Sequence, residues 1–152
     1  NYQIDEGVQA IQIFDSWVGC LSVSDYRNHV FDHSKKLIDS ISGKVPIIHF
    51  GTGNPSLLPL MTEAGGDVMA LDWRAPLKES WDLLACKAVQ GNMDPIALFG
   101  SVDSVRETAE SILEEVGGRP GHIFNLGHGI LPETPVENVK ALVEFVQGYE
   151  IS

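Results

Sequence analysis

The 152-residue sequence predicts an α/β fold of parallel strands covered by helices. Three observations predict it: strand-sized apolar runs alternate strictly with segments of helical periodicity, the runs are apolar on both faces, and no linker or low-complexity tract interrupts the alternation. Strands apolar on both faces belong to parallel sheets whose faces are buried. One structural unit is therefore expected, on an ordinary globular composition of 43% hydrophobic and 20% charged residues.

The elements follow in order. The opening "NYQIDEGVQA" reads as the tail of a helix, and "VQAIQIF" (8–14) is the first strand-sized run. Behind it, Tyr26, Val30, Leu37, Ile38 and Ile41 recur at three- and four-residue steps and line one helical face, with Ser24 as N-cap. "VPIIHF" (45–50) is the second run. Ser56 starts the next helix so that Pro59 falls in its first turn, and Gly65-Gly66 stops it. "DVMALD" (67–72) is the third run, and Pro76 opens the helix after it. "KAVQG" (87–91) precedes a helix from Val102 to Val116 that ends at Gly117-Gly118. "HIFNLG" (122–127) is the fifth run. In "TPVE" Thr134 is the expected cap, Pro135 the first helical position and Glu137 the partner that completes a capping box.

Composition narrows the function classes. The formal net charge is −11, and the ten basic residues are scattered, which argues against non-specific binding to nucleic acid or to an acidic membrane surface. No run of about 18 or more apolar residues exists, so no transmembrane helix is expected. Cys20 and Cys86 lie far apart without metal-type spacing, which suits two unpaired, packed thiols in a reducing compartment, and so a cytoplasmic setting.

Each run passes at its carboxyl end into polar or glycine-rich residues: "DSWVG", "GTGN", "DWR", "GNMDP" and "GHG". Ligands of parallel α/β folds bind beyond the carboxyl ends of the strands, so these loops are expected to converge on one face. Ser16, Thr52, Asp72, Arg74, Asn92, Asp94 and His128 are the polar candidates there. Plainer roles stand beside the functional ones. Asp94 before Pro95 caps a turn or helix, Asp72 and Arg74 pair with each other or with neighbouring loops, and Gly51-Thr52-Gly53 lacks the rest of any phosphate-binding motif. His128 stands between Gly127 and Gly129, which let the backbone come close to a bulky ligand and leave the ring as the only side chain. His29, His33 and His122 read as helix-surface or strand-packing residues. His49 ends a strand, but Gly51 stands where a second, cysteine ligand would be needed, so no metal site is expected.

From about Val8 to Val146 the segments "QIFDSWVG", "PIIHFGTG", "GGDVMALDWR", "VQGNMDP" and "GGRPGHIFNLGHGILPETPVENV" occur in one order and spacing. In these the chain resembles the C-terminal portion of the uroporphyrinogen decarboxylases. The resemblance implies a partial (β/α)8 TIM barrel, with the five strands as the fourth to the eighth and residues 1–152 as the C-terminal portion of one barrel domain. The length agrees, since a closed barrel takes about 250 residues. Enzymes of that family remove the carboxyl groups from the four acetate side chains of uroporphyrinogen III, giving coproporphyrinogen III for tetrapyrrole synthesis, without metal or organic cofactor. A protonated pyrrole ring is their electron sink, steadied by an aspartate. Carried over by motif, Ser16 and His128 match positions that bind the substrate's carboxylate side chains. The aspartate, paired arginines and a tyrosine belong to the part preceding Asn1. The segment alone is therefore expected to be inactive; for the parent enzyme the resemblance implies a tetrapyrrole substrate as partner and a homodimer as assembly.

One departure from the family pattern is "GTGNPS", with Asn54 and Pro55 where smaller residues are usual, which is expected to stiffen that loop. Two other readings compete. Corrinoid-linked, zinc-dependent methyltransferases resemble this family and carry His-x-Cys where this chain has His49-Phe50-Gly51. A truncated product without function of its own is the third, with two unpaired sheet edges as its liability.

Overall fold

The computed structural model describes residues 1–53, 55–84 and 86–150; Asn54, whose effect on its loop was anticipated, lies outside them. Five strands, β1 (Ile11–Asp15), β2 (Ile47–Gly51), β3 (Val68–Ala70), β4 (Ala88–Gln90) and β5 (His122–Ile123), form one parallel sheet in the order β1-β2-β3-β4-β5. Neighbours in sequence are neighbours in the sheet, as the strand and helix alternation predicts. Among the described residues seven α-helices accompany them: α1 (Tyr2–Asp5), α2 (Val23–His29), α3 (Phe31–Ile41), α4 (Leu58–Ala64), α5 (Leu77–Leu84), α6 (Val102–Val116) and α7 (Val136–Gly148).

The sheet is an arc of a barrel. Gln90 on β4 donates through Nε2 to Gln12 Oε1 on β1 at 3.2 Å. In a flat sheet, strands three places apart stand about 14 Å from one another, so these two side chains meet only because the sheet curls toward them. Register places Phe14, Ile48, Phe50, Val68, Ala70 and Ile123 on the same concave face as the two glutamines. The alternate residues, Ile13, Asp15, Ile47, His49, Met69 and Val89, point to the helices.

Most of the dry core lies on that outer face. Tyr26, Phe31, Leu57, Leu58, Met61, Met69, Leu71, Leu77, Trp81 and Val89 form one buried cluster. Met93, Leu98, Val105, Ala109 and Leu142 form a second under α6 and α7. Ile38, Ile41 and Ile47 form a third, against which Ile4, Ile11 and Ile13 pack. Trp81, 1% exposed, satisfies its indole N–H by donating to Cys86 O at 2.9 Å. The concave face is covered at its middle, where Phe50, Val68, Ala70 and Gln90 are buried, and open toward its edge strands, where Phe14 is 65% exposed and Ile123 43%.

Several helix boundaries are confirmed. The helix Val102–Val116 has both predicted ends, with Ser101 accepting from Ser104 N–H and Gly117 left-handed at φ 58°. Pro76 opens α5 by accepting from Ser80 N–H at 3.0 Å. Three expectations need correction. The segment after β1 is two helices, broken at Val30 (φ −122°, ψ −42°), and Leu37 is half exposed rather than on the buried face. Its cap is Ser22, not Ser24, because Ser22 Oγ accepts from Asp25 N–H at 3.0 Å. The Thr134 capping box does not form. A turn closed by Thr134 N–H on Leu131 O keeps Thr134 one position early, Pro135 takes the cap position, and Glu137 pairs with Lys140 at 3.1 Å.

Candidate active-site rim

The loops leaving the carboxyl ends of the strands are tied to one another in sequence. Thr52 Oγ1, after β2, donates to Ser16 O, after β1, at 2.8 Å. Gly53 N–H donates to Asp72 Oδ2, after β3, at 2.6 Å. Asn92, after β4, donates through Nδ2 to Asp72 O at 2.9 Å and Ala75 O at 2.7 Å. Gly127, after β5, donates its N–H to Met93 O at 2.7 Å. The five loops thus form one rim, as the convergence of strand ends predicts.

Most polar candidates are consumed in building that rim. Asp72, 4% exposed, accepts from Gly53 N–H and from both the backbone N–H and the guanidinium of Arg74, each of the latter at 2.9 Å. Asp94 caps the 3-10 turn Pro95–Phe99 by accepting from Ile96 N–H. Asn92 is buried and Thr52 is engaged. The plainer roles of Asp72 and Asp94 therefore hold, and Asn92 is likewise spent on the scaffold.

Ser16 and His128 differ from these. Ser16 sits half-buried in the turn after β1, where, among the described residues, its carbonyl is engaged by Thr52 and its hydroxyl by none. His128 is exposed, and its Nδ1 accepts from Gly129 N–H at 2.8 Å, which leaves Nε2 to carry the ring proton outward. Its ring stands edge-on to Phe50 at 6.2 Å and to Trp73 at 6.4 Å, and Phe50 meets Phe14 at 5.8 Å. Arg74 lies over Trp73 at 4.0 Å. Phe14, Phe50, His128, Trp73 and Arg74 form a continuous row along the rim.

The two glycines beside His128 have unlike causes. A Cβ on Gly127 would stand 2.4 Å from Trp73 N, so this glycine lets the β5 loop lie against the β3 loop rather than against a ligand. A Cβ on Gly129 would meet nothing within 4 Å, so here the backbone is open to an approaching molecule.

Behind the rim is a buried polar group that sequence reasoning missed. Asp15 Oδ2 faces His49 Nε2 at 2.9 Å, accepts from Ser34 Oγ at 2.9 Å and from Tyr26 Oη at 3.4 Å. The His49 Nδ1 faces Met61 O at 3.2 Å and Gly65 O at 3.1 Å, the carbonyl end of α4. Every partner of this fully buried ring is an acceptor. Burial pushes the Asp15 carboxyl up, but hydrogen bonds from His49 and Ser34 and the attraction of the His49 ring outweigh it and hold it below its ordinary value. Burial, and then the Asp15 charge, push the Tyr26 hydroxyl up to about 12. The available signal was register: Asp15 pairs with Gly51, so His49 lies diagonally across from it on the same outward face.

The remaining histidines agree with expectation. His29 and His33 are exposed on α2 and α3, and His122 donates through Nε2 to Gly91 O at 2.7 Å, its basicity lowered by burial. Among the described residues no group of three or more His, Cys, Asp or Glu side chains could hold a metal ion, and no helix is long and apolar enough to cross a membrane.

Known proteins are similar to this chain in sequence and fold. The sequence profile of the family described as Uroporphyrinogen decarboxylase (URO-D) matches residues 1–149. A uroporphyrinogen decarboxylase from Koribacter versatilis is 54% identical over 150 residues, covering 97% of this chain and 43% of the relative. Similar proteins of the same name from Solibacter usitatus and Thermus thermophilus are 51% and 50% identical, each with 43% of its length covered. The chain thus spans less than half the length of the curated relatives it matches. Among solved structures, a methyltransferase from Methanosarcina mazei superposes with a TM-score of 0.82 at 25% identity, over 97% of this chain and 44% of that one. The family profile over nearly the whole chain and these identities place it: the chain belongs to the uroporphyrinogen decarboxylase family.

Proposed function

We propose that this chain forms the substrate-facing arc of a uroporphyrinogen decarboxylase barrel, comprising the fourth to eighth strands, and that the catalytic centre is completed by strands outside residues 1–152. The reaction is loss of carbon dioxide from each of the four acetate side chains of uroporphyrinogen III, each replaced by a proton to leave a methyl group, giving coproporphyrinogen III. The observation that carries this reading is the rim itself. It sets exposed His128 and the Ser16 turn beside a row of aromatic rings, above a concave face that is open at Phe14 and Ile123. A broad ring system needs flat apolar contact, and its carboxylates need donors at the edge.

In this reading the rings of Phe14, Phe50 and Trp73 lie against the macrocycle. His128 donates from Nε2, and Ser16 from its hydroxyl, to carboxylate side chains. Neither residue takes part in proton transfer to carbon. The chain carries ten basic against twenty-one acidic residues, so most of the positive charge that an octa-anionic substrate requires comes from outside it. No metal or organic cofactor is part of the proposal. The setting is cytoplasmic, the complete protein a homodimer, and nucleic acid is not a partner.

A methyltransferase reading is disfavoured by two positions. Gly51 stands where His-x-Cys enzymes carry the cysteine, so the thiolate ligand is missing. His49 is turned to the helices and engaged on both nitrogens.

Fusing this chain to the portion of the Koribacter versatilis relative that it does not match tests the proposal. The fusion is expected to release carbon dioxide from uroporphyrinogen III, while the 152-residue chain alone does not. Turnover by the chain alone, or a well-folded fusion without turnover, would overturn it.

A further inference from the structure

The distribution of positive charge points to one more ligand-binding residue. Of the ten lysines and arginines, Arg27, Lys35, Lys36, Lys78, Arg106 and Lys140 lie on helices, and Lys44, Lys87 and Arg119 lie on segments that lead into the amino ends of β2, β4 and β5. Arg74 alone follows the carboxyl end of a strand. It therefore stands on the rim, where an anionic molecule against the concave face would meet it.

Its attachment is that of a prepared donor. The buried Asp72 carboxylate holds one edge of the guanidinium at 2.9 Å, and the Trp73 ring holds its face at 4.0 Å. The Asp72 side chain is 3% exposed, whereas that of Arg74 is 48% exposed, so the carboxylate lies beneath and the cation reaches solvent. Asp72 is also occupied by the Gly53 and Arg74 backbone N–H groups, which share its charge. A guanidinium has five N–H donors; among the described residues, Asp72 is the one partner of this guanidinium's donors. The free edge keeps the fork that matches a carboxylate. Trp73 touches both Arg74 and His128, so the two donors flank one indole.

We propose that Arg74 binds a carboxylate of the polyanionic substrate at the rim, across Trp73 from His128, with Asp72 and Trp73 as its positioning residues. This rests on the decarboxylase reading for the identity of the anion. The probe is uroporphyrin I, a stable octacarboxylate, titrated against the chain and against the fusion protein by its absorbance shift. Arg74→Gln is expected to raise Kd about tenfold, as for loss of one charge-assisted hydrogen bond, and to flatten the dependence of binding on salt. Arg74→Lys, which keeps a cation over Asp72 and so guards against loss of fold, is expected to fall between. In a turning-over fusion, KM rises in the same order with kcat little changed.

Wild-type binding that Arg74→Gln leaves unaltered would overturn the proposal even if the fusion is active, as would failure of the wild-type protein to bind the probe. A clip that only holds Asp72 would lower the urea midpoint and leave Kd and its salt dependence alone. Weakened binding in a fusion that never turns over would uphold Arg74 and instead sink the decarboxylase reading.

Discussion

The outer face of β2 and the loop after β5 treat a histidine in opposite ways. On the outer face His49 has no exposed surface and meets three acceptors from β1 and the carbonyl end of α4; on the rim His128 is exposed and, among the described residues, its one hydrogen bond comes from the next residue's backbone. A ring whose hydrogen-bonding capacity is filled by protein has nothing to offer a ligand. A ring with one nitrogen free has. The contrast separates a residue that holds the fold from one available to chemistry, and substitutions can sharpen or break it.

The largest effect is expected for His49→Ala, which strands the Asp15 carboxylate under the helices. Removing one partner of a buried pair costs about 3–5 kcal/mol, to be read as a lowered urea midpoint. A loss below about 1 kcal/mol would erase the distinction between the two histidines. Gly127→Ala comes next: its Cβ would press on Trp73 backbone, and backbone does not move cheaply, so about 2 kcal/mol of stability is expected to go together with the aromatic row. Gly129→Ala is the control, within about 0.5 kcal/mol of wild type.

The outer network also sets two pH limbs. Asp15 is depressed in the folded state, so its contribution is present above its ordinary value of 3.8 and is lost as pH falls through the lower folded value. Tyr26 is raised, so its contribution is complete below its ordinary value of 10.0 and is lost as pH climbs through about 12. Asp15→Asn is expected to remove the acid limb and Tyr26→Phe the alkaline limb, both read from urea midpoints against pH. The smallest effect on stability belongs to His128→Ala, within about 0.5 kcal/mol, with weakened binding of uroporphyrin as its signature.

The architecture was legible because parallel strands and covering helices leave different periodicities, and all five runs became strands. Helix α6 was legible to the residue, since Ser101 and Gly117 are local signals that act within one turn. Break and cap positions at Val30, Ser22 and Thr134 were not, because each depends on tertiary packing or on a neighbouring turn. At the site, convergence of the five loops and the outward placement of His128 were foreseen. The Asp15–His49 pair was not, because the two residues lie 34 positions apart and meet only through β1–β2 register. The role given to Gly127 was wrong in kind: its missing side chain makes room for Trp73 backbone rather than for a ligand.

The hydrogen bonds that pass from loop to loop around the rim bear on entropy. Thr52 to Ser16, Gly53 to Asp72, Asn92 to Ala75 and Gly127 to Met93 leave little freedom for any one loop to move without its neighbour. A guest settling on such an arc does not have to quench loop motion, and the ordering cost falls mainly on the few exposed side chains, His128 and Arg74 among them. Affinity at this rim should therefore respond more to what those side chains are than to how stiff the loops beneath them have been made.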